Sequence, residues 1–118
     1  MSIAKRAKKG PTEAEFTRQV LQLANLRGWR TAHFRAAQTK TGKWITAVQG
    51  DGKGFPDLLM IRCSDLLAIE LKVGKNTTTL EQDAWLDAFK ELPNTHAAVW
   101  TPEQWDEIEF ILENGYGY

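Results

Sequence analysis

The sequence predicts an α/β sandwich built around a mixed sheet. Three observations carry that reading. Apolar residues recur at helical spacing in three segments, one near each end of the chain and one after residue 79. Two short apolar runs flank a polar turn in the middle of the chain, the pattern of an antiparallel hairpin. Further strand-like runs follow the first helical segment and precede the last. The order is therefore α-β-β-β-α-β-α, which closes into a sheet flanked by helices.

The elements follow in chain order. Residues 1–11 are basic, end in Gly10-Pro11 and lack periodicity, so a disordered tail is expected there, with one domain over 12–118. Thr12-x-x-Glu15 is a capping-box pattern; Phe16, Val20, Leu23 and Ala24 then keep helical spacing until Gly28. Trp29 to Phe34 reads as a first strand. Residues 36–54 form a long loop rich in Gly, Thr, Gln and Lys, with room for a short hairpin around Lys40 to Lys43. Phe55 to Ile61 and Leu66 to Val73 read as strands joined by the polar turn Arg62-Cys63-Ser64-Asp65. The next helix follows Thr77–Thr79 and carries Trp85, Leu86, Phe89 and Leu92 on one face, until Pro93-Asn94 breaks it. His96 to Trp100 is a strand. Thr101-Pro102 then opens a final helix with Trp105, Ile108, Ile111 and Leu112 as its apolar stripe.

Composition narrows the function. The single cysteine, Cys63, allows no internal disulfide and no cysteine-rich zinc site, which fits a reducing compartment. No apolar run approaches the ~20 residues that span a bilayer, and no apolar core follows the basic N-terminus as in a secretory signal. The net charge of zero hides an asymmetry. Residues 1–56 hold eleven Lys/Arg and three acids, whereas residues 57–118 hold four Lys/Arg and twelve acids. A basic half of that kind suits a polyanion.

The hairpin concentrates the chemistry. A turn at 62–65 pairs residues whose numbers add to 127, which sets Asp57 opposite Glu70 on one face. Alternation puts Lys72 on that face too, and turns Leu58, Met60, Ile69, Leu71 and Val73 to the other, toward a core. Two carboxylates so close repel unless a proton or a cation lies between them. Mg²⁺ suits such a pair, because it takes oxygen ligands and keeps waters and phosphate oxygens in its remaining positions. It would supply a Lewis acid and an activated water, while Lys72 orients that water or steadies charge on a phosphate. Alone, Glu-x-Lys is an ordinary exposed ion pair; Pro-Asp in register on the neighbouring strand makes it a site.

The stretches TEAEF, GFPDLLMIR, AIELKVG, LEQDAWLDAF and VWTPEQWDEI, which run from residue 12 to 108, resemble the PD-(D/E)xK nuclease superfamily. Within it they are similar to the VRR-NUC domains of stand-alone phage and bacterial proteins and of the Fanconi-associated nuclease. The Val-Arg-Arg signature of that family is absent, and AAVWTP stands downstream. The resemblance implies a restriction-endonuclease-like αβββαβ core with a C-terminal helix. It implies Mg²⁺ or Mn²⁺ dependence, cleavage of branched DNA such as Holliday junctions, a homodimer, and the cytoplasm of a bacterial or phage-infected cell.

By the same resemblance, Asp57, Glu70 and the Leu71 carbonyl hold the metal, with a first-helix carboxylate for which Glu13, three before Phe16 and seven before Val20 and so on the inward face, is preferred over Glu15. Gln82, on the inward face of its helix, reaches the active site; its other role is the capping box Thr79-x-x-Gln82. Arg35, Lys40, Lys43 and Lys53 are candidate phosphate contacts. Trp44, in the polar loop, could stack on a base or pack at a dimer interface. His33 reads as a partly buried structural residue. Two other readings use the same fold: a non-catalytic nucleic-acid-binding module, and an assembly subunit that works through its acidic C-terminal helices.

Overall fold

The computed structural model describes residues 10–34, 37–38, 40–45 and 48–116. The expected N-terminal tail lies largely outside them, as does Arg35. Helix α1 (Glu13–Leu26) leads into β1 (Arg30–His33). A small hairpin, β2 (Ala37–Gln38) and β3 (Trp44–Ile45), occupies the long loop. Then follow β4 (Leu58–Arg62), β5 (Asp65–Leu71), α2 (Leu80–Lys90), β6 (Thr95–Trp100), a 3₁₀ turn (Pro102–Gln104) and α3 (Trp105–Asn114). The main sheet has the order β1-β4-β5-β6; the first two pairings are antiparallel and the last is parallel, so the sheet is mixed. The β2–β3 hairpin forms its own two-stranded sheet. No helix among the described residues is long and apolar enough to cross a membrane.

The caps explain where the helices begin. The Thr12 side chain accepts from the Glu15 N–H, and the Glu15 carboxylate accepts from the Thr12 N–H at 2.8 Å. Thr79 and Gln82 repeat the arrangement at α2. These reciprocal bonds satisfy donors that a helix start otherwise leaves open. Two packed layers then enclose the sheet. On one face Phe16, Val20 and Ala24 of α1 and Ile108, Ile111 and Leu112 of α3 meet Leu58, Met60, Leu67, Ile69 and Leu71. On the other, Leu86 and Phe89 of α2 meet Leu59, Ala68, Ala97 and Val99.

The expected hairpin register is present: Leu59 pairs with Ala68, Ile61 with Leu66 and Arg62 with Asp65, all adding to 127. Several boundaries differ from expectation. Phe55 to Asp57 precede β4 instead of belonging to it, since Pro56 has no N–H for a ladder and Phe55 turns aside onto α2. Asp57 still continues the sheet through its carbonyl, which accepts from the Phe34 N–H at 2.8 Å. Leu92 lies past the end of α2 and is exposed, so it is not part of the buried face. His33 is exposed at the end of β1, an edge strand of the main sheet, and is not the partly buried residue expected.

The far end of the sheet is clamped. Arg62 donates to the carbonyls of Arg27, Leu112 and Glu113 at 2.9–3.1 Å and lies 4.6 Å from the centre of the Trp29 ring. One guanidinium thus satisfies the ends of both α1 and α3, where carbonyls lack helical partners and the helix dipole favours a cation.

Candidate active site

The sheet's other end holds the charged cluster. β5 is a central strand, so Glu70 is walled by β4 on one side and β6 on the other and is only 2% exposed. Lys72 follows two residues later on the same face, at the point where the Lys72 N–H extends the ladder to the Trp100 carbonyl. The Lys72 Nζ lies 3.6 Å from Glu70 Oε2. From its place just before β4, Asp57 reaches across to β5, and its Oδ2 accepts from the Leu71 N–H at 3.0 Å. Leu71 itself turns its side chain into the core, so only its main chain is available at the site.

Gln82 joins from α2, where its side chain bonds both the helix cap and Glu70. Its Oε1 accepts from the Thr79 N–H at 2.9 Å, closing the capping box. Its Nε2 donates to Glu70 Oε2, also at 2.9 Å. The cap fixes which end of the amide faces the carboxylate, so Glu70 meets a donor and not a second acceptor.

One atom in this cluster has no partner. Glu70 Oε1 is buried and makes no hydrogen bond. Burial is the main reason that the Glu70 carboxyl is pushed up to about 8; the charge of Asp57 adds to the effect, and Lys72 opposes it. A buried oxygen without a donor, beside a second carboxylate, is what a cation would relieve. The donor set fits a hard divalent ion such as Mg²⁺ or Mn²⁺: Glu70 and Asp57 would hold it, with Leu71, next to Glu70 and bonded to Asp57, offering main-chain atoms alone. Among the described residues, no group of three or more His, Cys, Asp or Glu side chains is placed to hold a metal. Two carboxylates completed by main-chain and solvent oxygens match the sparse protein ligation usual for Mg²⁺.

Glu13 opens α1, which covers the opposite face of the sheet, and its side chain is exposed; the inward-facing reading is corrected, because the buried stripe of that helix begins at Phe16. It stands at the same end of the sheet as the cluster without a hydrogen bond or ion pair to it. Glu15 is engaged in its own cap, which leaves Glu13 as the freer carboxylate of that turn. Lys53 is exposed and pairs loosely with Glu81 at 3.8 Å, one residue from Gln82. Lys40 and Lys43 are exposed at the tip of the β2–β3 hairpin. The side chain of Trp44 lies outside the described residues.

Sequence reasoning missed how the Asp57 loop is anchored. Phe55 stands edge-on to Phe34, Trp85 and Phe89, with ring centres 4.9–6.0 Å apart, and Trp85 Nε1 donates to the Asp51 carbonyl at 2.9 Å. Cavity size gives no guide here: a groove of about 680 Å³ lies elsewhere, lined by Gln19, Gln22, Leu23, Leu26 and Trp105, none of them titratable. No family model, characterised protein or solved structure matches the chain.

Proposed function

We propose that this chain is a divalent-metal-dependent DNA endonuclease on a restriction-endonuclease-like fold. The observation that carries the reading is Glu70: a buried carboxylate with one unpartnered oxygen, flanked by Asp57, Lys72 and Gln82. A structural ion pair would not need that arrangement, since Glu70 and Lys72 could pair more cheaply in water. A bound Mg²⁺ or Mn²⁺ would supply Lewis acidity and lower the pKa of a coordinated water.

The chain's own groups divide the remaining work. Asp57 and Glu70 supply negative oxygens for the ion. Gln82 keeps one Glu70 oxygen hydrogen-bonded, so the other is the one presented. Lys72, half-buried beside them, offers N–H donors to an attacking water or to a phosphate oxygen. Lys53, Lys40 and Lys43 would hold the phosphate backbone. Branched DNA as the preferred substrate and a homodimer as the working form come from the family resemblance and belong to the proposal on that ground.

The test is cleavage of labelled four-way junction, flap, single-stranded and duplex DNA with Mg²⁺, Mn²⁺ or EDTA, beside Lys72→Ala. The wild type is expected to cut only with metal, and the variant to lose roughly 10²–10⁴-fold in rate, the usual contribution of a proton-handling side chain. Cutting that persists in EDTA, or equally in the variant, would sink the mechanism. Tight binding with no cutting of any substrate would favour the binding-module reading.

A further inference from the structure

The loop that delivers Asp57 and the helix that delivers Gln82 meet at Gly54. This residue has φ +82°, and a Cβ built on it would lie 2.6 Å from the Glu81 carbonyl carbon and 2.7 Å from the Gln82 nitrogen. Both are main-chain atoms in the first turn of α2, and neither can swing aside as the end of a side chain can. The seat is held on both flanks by the Trp85–Asp51 hydrogen bond and by the Phe55 ring against Trp85 and Phe89. The loop therefore rests main chain on main chain, three residues before Asp57 and directly on the residue whose amide reaches Glu70.

We propose that Gly54 is a positioning residue of the site. By letting the loop seat flush on Glu81 and Gln82, it sets the spacing between Asp57 and α2 and so keeps the Gln82 amide on Glu70. Any Cβ there forces loop and helix apart by several tenths of an ångström before ordinary contact is restored. The Gln82–Glu70 bond, at 2.9 Å, tolerates little of that, because a contact stretched to about 3.6 Å is no longer a hydrogen bond. The left-handed backbone adds strain for any L side chain. The effect on catalysis rests on the nuclease reading, whereas the effect on Gln82 does not.

The experiment compares ¹⁵N-labelled Gly54→Ala with Gly50→Ala. Gly50 shares the left-handed backbone, with φ +73°, but a Cβ there meets nothing within 4 Å, so this variant carries the strain without the clash. The Gln82 side-chain amide signals, assigned by their loss in Gln82→Ala, are expected to be shifted and slow to exchange in the wild type. They should move toward free-amide positions in Gly54→Ala and stay in place in Gly50→Ala. Cleavage should fall about tenfold or more in Gly54→Ala, the range typical of groups that orient metal ligands. The double variant Gly54→Ala/Gln82→Ala should cut no more slowly than Gln82→Ala, because both changes remove the same contact. Unmoved Gln82 signals in Gly54→Ala, or equal movement in both glycine variants, would overturn the proposal. Movement in Gly54→Ala alone, with a wild type that cuts no DNA, would uphold the positioning role and defeat the nuclease reading. If Gly54→Ala does not fold, Phe55→Leu loosens the same seat without a clash, and unchanged Gln82 signals there would overturn the proposal.

Discussion

Replacing Glu70 with Gln should stabilise the metal-free protein at alkaline pH. The Glu70 carboxyl, pushed up to about 8 chiefly by burial, binds a proton in the folded chain over a range where the unfolded chain has already lost it. Between the ordinary value of 4.5 and about 8 the folded state holds more protons, so stability falls as pH rises through that window. Each pH unit of such a difference is worth about 1.4 kcal/mol, which places the total penalty on the order of 3–5 kcal/mol above pH 8. Glu70→Gln removes the charge and with it the slope. Its oxygen can still accept from Gln82, and its new N–H₂ faces the side that holds Asp57. Urea unfolding in EDTA across this range should show wild type and variant converging near pH 4.5, the variant pulling ahead as pH rises to about 8, and a constant gap above that. Saturating Mg²⁺ should flatten the wild-type slope and leave the variant unchanged. A variant less stable than the wild type above pH 8 in EDTA would refute the reasoning, because it would mean that the ionised carboxylate is already well compensated.

Other substitutions separate neighbouring roles. Gln82→Glu keeps an acceptor for the Thr79 N–H, so the helix cap should survive; its second oxygen would face Glu70 and repel it, and cleavage should fall about 10–100-fold, as read by initial rates at fixed Mn²⁺. Arg62→Ala removes the side-chain donor from the Arg27 and Glu113 carbonyls, while Leu112 keeps the Trp29 Nε1 donor, and should cost about 1–3 kcal/mol in urea unfolding, with an unchanged cleavage rate per folded molecule. Lys53→Ala, if that residue contacts a phosphate, should lower the slope of log affinity against log salt by about 1 without changing the preference among DNA structures; an unchanged slope would remove Lys53 from the interface.

What the sequence made legible was whatever is local. Thr12 with Glu15 and Thr79 with Gln82 lie three residues apart, so both capping boxes could be read directly and both formed. The hairpin register followed from a short turn and strict alternation, which leave one pairing that buries Leu58, Met60, Ile69 and Leu71 together. Gln82 was readable as a cap or as a residue turned toward the sheet; that one side chain bonds both Thr79 and Glu70 depends on the distance from α2 to β5, which no spacing along the chain encodes. The same limit hid Gly54. Its contact is with Glu81, far along the chain, and its signal in sequence is only a glycine before Phe-Pro-Asp. Glu13 and His33 show the opposite failure. Each sits at inward periodicity, but each lies at the end of its element, where the layer above it stops and periodicity no longer implies burial.

Placement on a central strand is what separates Glu70 from any other Glu-x-Lys pair. On an edge strand such as β1, where His33 is exposed, the same carboxylate would be hydrated, would ionise normally and would leave Lys72 a labile surface partner. On β5 it has strands on both sides and α2 above, so water cannot satisfy Oε1 and the charge must be met by a proton or a cation. The β5–α2–β6 connection follows from the same placement: it carries the chain over the Glu70 face and brings Gln82 to the C-terminal ends of the two parallel strands, the side on which open α/β sheets bind their ligands. The hairpin alone would bring Asp57, Glu70 and Lys72 together, but it is the crossover that buries Glu70, and that burial, more than the pattern of charges, raises its carboxyl and leaves Oε1 without a partner.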